Sequence, residues 1–138
     1  MILQKNDKIL LIKRGRDPFK DKFALPGGFV NENESVEYAI LREMKEETNL
    51  DVEPIEILGV YSNPERDPRA HIVTIVFIGI IIGGSPLSGD DSKEIMWYNI
   101  EEISTIPLAF DHNLIIHDYI EWRKNNGTFW SSKPRSFS

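Results

Sequence analysis

The sequence predicts an α/β (α+β) fold, an α/β/α layered sandwich in which a mixed central β-sheet lies between helices. Three observations carry this. Runs rich in β-branched and aliphatic residues recur at 9–14, 55–61 and 71–82, bounded by glycine, proline and aspartate. Two other segments repeat apolar residues at helical spacing, first Val36, Ala39 and Ile40, then Ile115, Ile116, Tyr119 and Ile120. Strands mixed with two substantial helices fit such layers. Finally, 138 residues with 41% hydrophobic content suffice for one core and not comfortably for two, so a single domain over 1–138 is expected.

The elements follow in order. Residues 9–14 read as a strand leading into the charged loop GRDPFKDK, whose Gly15, Asp17 and Pro18 are turn formers. A short strand at 23–25 ends at Pro26-Gly27-Gly28. The next helix starts with Ser35 as N-cap and Glu37 in its first turn; Asn49 stops it in a left-handed conformation, with Leu50 folding back towards Met44. Strands at 55–61 and 71–82 flank the polar loop SNPERDPRA. After a loop over 83–91, a strand at 95–98 meets Asn99, which caps a short helical turn. Asp111 caps the last helix, which Asn126-Gly127 ends. The tail 127–138 is expected to be loosely ordered, with Phe129 and Trp130 free to dock on a neighbour.

Composition excludes several functions. A net charge of −6 and a pI near 5.1 argue against a nucleic-acid or anionic-membrane surface, since both select basic patches. Without cysteine there are no disulfides, thiolate metal sites or cysteine nucleophiles. The opening MILQKNDKILLIKR has no uninterrupted apolar stretch of leader type, and the longest apolar run is too short to span a bilayer. A cytoplasmic protein is expected.

One helix breaks three local rules. At about 100° per residue, Glu43, Glu46 and Glu47 fall within one arc of about 100° that Val36, Ala39 and Ile40 already occupy. Acids therefore continue the core-facing stripe, repel one another at i,i+3 and i,i+4 spacing, and sit in a last turn whose dipole disfavours them. A divalent cation would make such a cluster tolerable, and Mg²⁺ or Mn²⁺ suits hard carboxylate oxygens.

Read as spacing, the segment is Gly28, five residues, Glu34, seven residues, Arg42-Glu43-Met44, one residue, Glu46-Glu47, one residue, Asn49-Leu50. This resembles the Nudix box of the Nudix hydrolases at every fixed position but one. Asn49 stands where the family has glycine, and asparagine is the residue that next most readily accepts a left-handed cap. The resemblance implies hydrolysis of a nucleoside diphosphate linked to a further group. It implies that Glu43, Glu46 and Glu47, with the Gly27 carbonyl, ligate Mg²⁺ or Mn²⁺. Arg42, one turn before Glu46, is expected to hold that carboxylate, and Glu34 to assist from outside the helix. The general base is left open between a glutamate of the box and the later loop acids Asp90, Asp91 and Glu94.

Outside the box, PFKDKFALPGGF, GVYSNPERDPRAHIVTIVF and LAFDH are similar to bacterial and archaeal ADP-ribose pyrophosphatases of the superfamily. That likeness implies cleavage of ADP-ribose to AMP and ribose 5-phosphate. Arg69 and Arg66 are then candidates for phosphate or ribose contact, since a guanidinium grips phosphate through two donors. Arg14 belongs to a basic group before the glycines, and Phe110 is a candidate for stacking on the base. His71, His112 and His117 are expected only to pack or cap. Alternatives are another nucleotide (an oxidised deoxynucleoside triphosphate, a dinucleoside polyphosphate or NADH), or a non-catalytic regulatory module that binds ADP-ribose. The family's opening strand is commonly longer than Met1 to Gln4, which leaves edge pairing, and any homodimer built through it, open.

Overall fold

The computed structural model describes residues 1–86 and 94–132. Its sheet runs β3 (Phe23–Ala24), β2 (Lys8–Lys13), β1 (Ile2–Lys5), β5 (Thr74–Gly84), β4 (Leu50–Tyr61) and β7 (Phe129–Trp130), with β6 (Ile95–Asn99) paired to β2. It is mixed: β1 runs parallel to β5 and β7 parallel to β4, and the other pairs are antiparallel. Helix α1 (Val36–Thr48) follows β3, the short α2 (Ile100–Ile103) follows β6, and α3 (His112–Asn125) precedes β7.

Strand alternation builds the layers. Ile9 and Leu11 of β2, with Ile2, Val76 and Ile78, pack against Ile115, Ile116 and Tyr119 of α3. Leu10, with Leu3, Val52 and Phe77, packs against Ile40 and Met44 of α1. Successive strand residues point to opposite faces, so one sheet serves two cores. Leu50 joins Met44 in the second core as the sequence implies, and Thr48 Oγ1 links them by donating to the Met44 carbonyl and accepting the Leu50 N–H.

Several boundaries differ from expectation. β4 starts at Leu50 rather than at 55 and runs through Pro54, with register shifts on both sides of it. Proline is compatible with a strand at a bulge or an edge, and apart from β7 at Gly59 and Val60 this side of β4 has no partner among the described residues. The four-residue β1 lies inside the sheet, hydrogen-bonded to β2 and β5, rather than at an exposed edge. The expectation of a loose tail from 127 is corrected over its first part. Phe129 and Trp130 form β7, which approaches β4 so closely that a side chain at Gly59 would strike the Phe129 carbonyl. No helix among the described residues is long and apolar enough to cross a membrane.

Candidate active site

Helix α1 is placed by its caps. Ser35 Oγ accepts the Tyr38 N–H at its start, and at its end Asn49 takes φ 61°, with its N–H on the Lys45 carbonyl. Asn49 Nδ2 also donates to the Ser85 carbonyl, 3.1 Å away, a contact glycine would lack. Between the caps, Val36, Ala39, Ile40, Glu43 and Glu47 share the face that lines a cavity of about 510 Å³. The glycine loop, with Gly27 and Gly28, forms the adjoining wall. A Cβ on Gly28 would collide with all three carboxyl atoms of Glu43, so only glycine lets the loop lie against that acid.

Arg42 is the hub beneath this wall. It grips Glu34 through two bonds, Nε to Oε2 at 2.7 Å and Nη2 to Oε1 at 2.8 Å. Nη1 donates to Glu43 at 2.8 Å and to Glu46 at 3.2 Å, while Nη2 also reaches the Phe29 carbonyl at 2.9 Å. The expected i,i+4 link to Glu46 is present and is the longest of these contacts. Glu34 additionally accepts the Asn31 N–H, and its bonds to Arg42 and Asn31 lower its pKa to about 2. The arginine thus ties the glycine loop to the helix.

The box acids are not equivalent. Glu43 and Glu47 line the cavity, whereas the Glu46 side chain is 60% exposed and turned to Arg42. Among the described residues no three acid or histidine side chains converge in ligating geometry. The donor set still fits a hard divalent cation: Glu43 and Glu47 bring carboxylate oxygens from one helix face to a cavity that Gly27 also lines. Glu46 joins that set only by leaving Arg42.

Arg14, Arg66, Asp67, Arg69, Phe110 and His112 also line the cavity. Arg66, a substrate candidate from sequence, lines the cavity but has its side chain engaged by the fold. Its side chain is 4% exposed and bidentate to Asp111 at 2.9 and 2.7 Å, with Nη1 on Thr74 Oγ1 at 2.7 Å. It fastens the β4–β5 loop to the start of α3. Asp111 occupies the N-cap position as expected but makes no side-chain cap bond, because Arg66 takes both its oxygens. Glu94 does not join the cavity: its side chain is 66% exposed, 3.9 Å from Lys13 Nζ. Asp90 and Asp91 lie outside the described residues.

Sequence reasoning missed two residues. Asp67, in the loop between the arginines, is buried and binds Arg69. His112 was expected only to pack or cap, yet its Nδ1 accepts the Leu25 N–H at 3.0 Å and so anchors the strand entering the glycine loop. Burial lowers its pKa to about 3, and Arg66 and Arg14 push the same way against Asp111. The imidazole is therefore neutral with its proton on Nε2. An Asp-His pair after an aromatic residue was the available signal, but its partner lies 87 residues away.

A layered sandwich with a capped acidic helix facing a glycine loop defines a nucleotide-hydrolase type of site, and the chain belongs to the Nudix hydrolase family: the NUDIX domain matches residues 1–120. It is 52% identical over 122 residues to the ADP-ribose pyrophosphatase of Methanocaldococcus jannaschii, covering 88% of this chain and 71% of that protein. It is 31% identical to the ADPR responsive transcriptional repressor NtrR of Acinetobacter baylyi, covering 94% of this chain and 52% of the repressor. The chain thus spans about half the length of that regulator. Among solved structures, the NUDIX domain of Shewanella oneidensis NrtR complexed with ADP ribose aligns with a TM-score of 0.75 and 30% identity, covering 87% of this chain and 81% of that one.

Proposed function

We propose that this Nudix hydrolase cleaves the diphosphate of ADP-ribose, giving AMP and ribose 5-phosphate. The observation that carries the reading is the division of one cavity between oxygen donors, on Glu43, Glu47 and Gly27, and cations, on Arg14 and Arg69. A diphosphate needs both kinds of wall. In the reaction a water oxygen forms a new bond to phosphorus, the bridging P–O bond breaks, and the water proton passes to a base.

Mg²⁺ or Mn²⁺ held by Glu43, Glu47 and the Gly27 carbonyl, with Glu46 if it leaves Arg42, would neutralise phosphate charge and acidify a bound water. The chain's own residues prepare the rest. Arg42 sets Glu43 against the glycine loop, and His112 sets the loop against α3. The base is drawn from Glu43 and Glu47, the α1 carboxylates that line the cavity, rather than from Glu94, which faces Lys13. Arg14, Arg69 and Phe110 receive the substrate.

A second reading is supported by the likeness to NtrR and NrtR: a module that binds ADP-ribose without cutting it. Against it, every box acid is present. Product analysis by anion-exchange chromatography separates the two, using ADP-ribose with and without Mg²⁺ and beside Glu47→Gln. The enzyme reading expects metal-dependent AMP and ribose 5-phosphate, with turnover reduced by about a hundredfold or more in the variant. Intact ADP-ribose bound by the native protein would establish the module instead. Cleavage of only an oxidised deoxynucleoside triphosphate, a dinucleoside polyphosphate or NADH would replace the substrate.

A further inference from the structure

Asp67 has no part in the steps above, yet its side chain is only 3% exposed on the wall of the same cavity. It accepts three bonds from one residue: the Arg69 backbone N–H at 2.9 Å, Nε at 3.0 Å and Nη2 at 2.7 Å. The two side-chain bonds occupy the Nε–Nη2 edge of the guanidinium. A guanidinium has five N–H donors, so the Nη1–Nη2 edge still offers two parallel ones. Nη1 makes no hydrogen bond among the described residues, and the Arg69 side chain is 38% exposed.

The faces of that guanidinium are held too. Its carbon lies 5.2 Å from the ring centres of both Phe29 and Phe110. Arg14 stands 4.9 Å from the Phe110 centre, its Nε fixed on the Pro18 carbonyl at 2.7 Å. Phe110 takes φ 53°, a conformation a bulky side chain rarely adopts, and its ring is in reach of both arginines. Arg14's side-chain bond goes to a neutral carbonyl and not to a carboxylate. Asp67 balances one of the two cations beside the ring, and an anion entering the cavity would balance the other.

We propose that Asp67 is a positioning residue: by holding the inner edge of Arg69 it aims the outer edge, beside Arg14, at the non-bridging oxygens of one phosphoryl group of a diphosphate. A tetrahedral anion matches a two-donor edge and supplies the charge that a sugar hydroxyl lacks. The inference rests on a diphosphate occupying the cavity, and not on which nucleoside carries it.

The test uses inorganic pyrophosphate in EDTA, titrated calorimetrically into the whole protein, Asp67→Asn, Arg69→Lys and the double variant. Each single change is expected to weaken pyrophosphate about tenfold. The double variant should lose no more than Arg69→Lys alone, because Asp67 acts through Arg69. Unchanged affinity in Arg69→Lys, additive losses, or no measurable binding by the native protein would overturn the proposal. If Asp67→Asn fails to fold, Asp67→Glu takes its place: it keeps the charge but displaces the carboxylate from Arg69, so it should also weaken pyrophosphate, and native affinity in a folded Asp67 variant would overturn the proposal. With ADP-ribose as substrate, Asp67→Asn should raise KM about tenfold and leave kcat within threefold; a fall in kcat alone would refute the positioning role. Pyrophosphate binding that depends on Asp67 as well as Arg69, without ADP-ribose cleavage, would remove the substrate reading and uphold this one.

Discussion

Gly28→Ala is the substitution in which the structure separates activity most sharply from stability. Gly28 does not occupy the left-handed region, so its backbone accepts alanine; the obstacle is the Glu43 carboxylate, all three atoms of which the new methyl would overlap. Restoring van der Waals contact moves that carboxylate by about 1 Å, and a displacement of this size in a reacting constellation costs about a hundredfold in rate. The same movement breaks the 2.8 Å bond from Arg42 Nη1, but the two bonds from Arg42 to Glu34 remain. A partly exposed ion pair contributes about 1 kcal/mol at most, and replacing glycine recovers roughly half of that through the unfolded chain. We therefore expect a urea midpoint shifted by less than about 1 kcal/mol together with a hundredfold loss of metal-dependent ADP-ribose turnover. Turnover within threefold of native would refute the argument, because the placement of Glu43 would then be irrelevant to the reaction.

Three further outcomes are expected. Asn49→Gly should change stability by no more than about 1 kcal/mol in urea, since relief of the left-handed cap offsets the lost bond to Ser85, and activity should persist. Asp111→Ala should cost about 3 kcal/mol in the same assay, because it leaves the Arg66 guanidinium buried with only the Thr74 hydroxyl and the Ile72 carbonyl. A cost below 1 kcal/mol would show that the pair is not what joins the loop to α3. Stability should also fall on acidification, by a sign that His112 fixes. Its pKa is about 3 when folded against 6.5 ordinarily, so between those values the unfolded chain binds a proton that the folded chain does not. Its contribution is complete above pH 6.5 and lost as pH falls towards 3. Glu34, at about 2 against 4.5, acts in the same direction lower down. Comparison with His112→Asn isolates the imidazole. Between pH 6.5 and 4.5 the native protein should lose on the order of 2 kcal/mol more than the variant, and equal losses in urea titrations would contradict a neutral His112.

What the sequence disclosed was local. Helix α1 could be read from Ser35 to Asn49 because both caps act within one turn of themselves, and its cavity face could be read because helical spacing brings Val36, Ala39, Ile40, Glu43 and Glu47 together. The same periodicity placed Glu46 with them, whereas it stands at the margin of the arc, where Arg42 draws it to solvent. The sequence shows only 55–61 of β4; Asp51, Glu53 and Pro54 have low strand preference, which pairing with β5 overrides, with the proline beside a bulge. Arg66, Asp111 and His112 could not be assigned because their partners are distant in the chain, and no rule of spacing joins residue 66 to residue 111.

The difference between Arg66 and Arg69 shows how that distant pairing divides similar residues between fold and function. Both lie in one short loop and both are chelated by an aspartate through Nε and Nη2. For Arg66 the remaining Nη1 is also occupied, by Thr74 and the Ile72 carbonyl, and the side chain is buried; of its five donors a single Nη2 hydrogen is left, and no two-donor edge is free for a ligand. For Arg69 Nη1 makes no hydrogen bond among the described residues, and the side chain, 38% exposed, lines the cavity. Arg66→Lys should therefore lower stability and leave the pyrophosphate affinity of the folded protein within about threefold, the reverse of Arg69→Lys. If calorimetry on folded Arg66→Lys shows a loss as large as that of Arg69→Lys, then the two arginines act on the anion together and the division drawn from their hydrogen bonds is wrong.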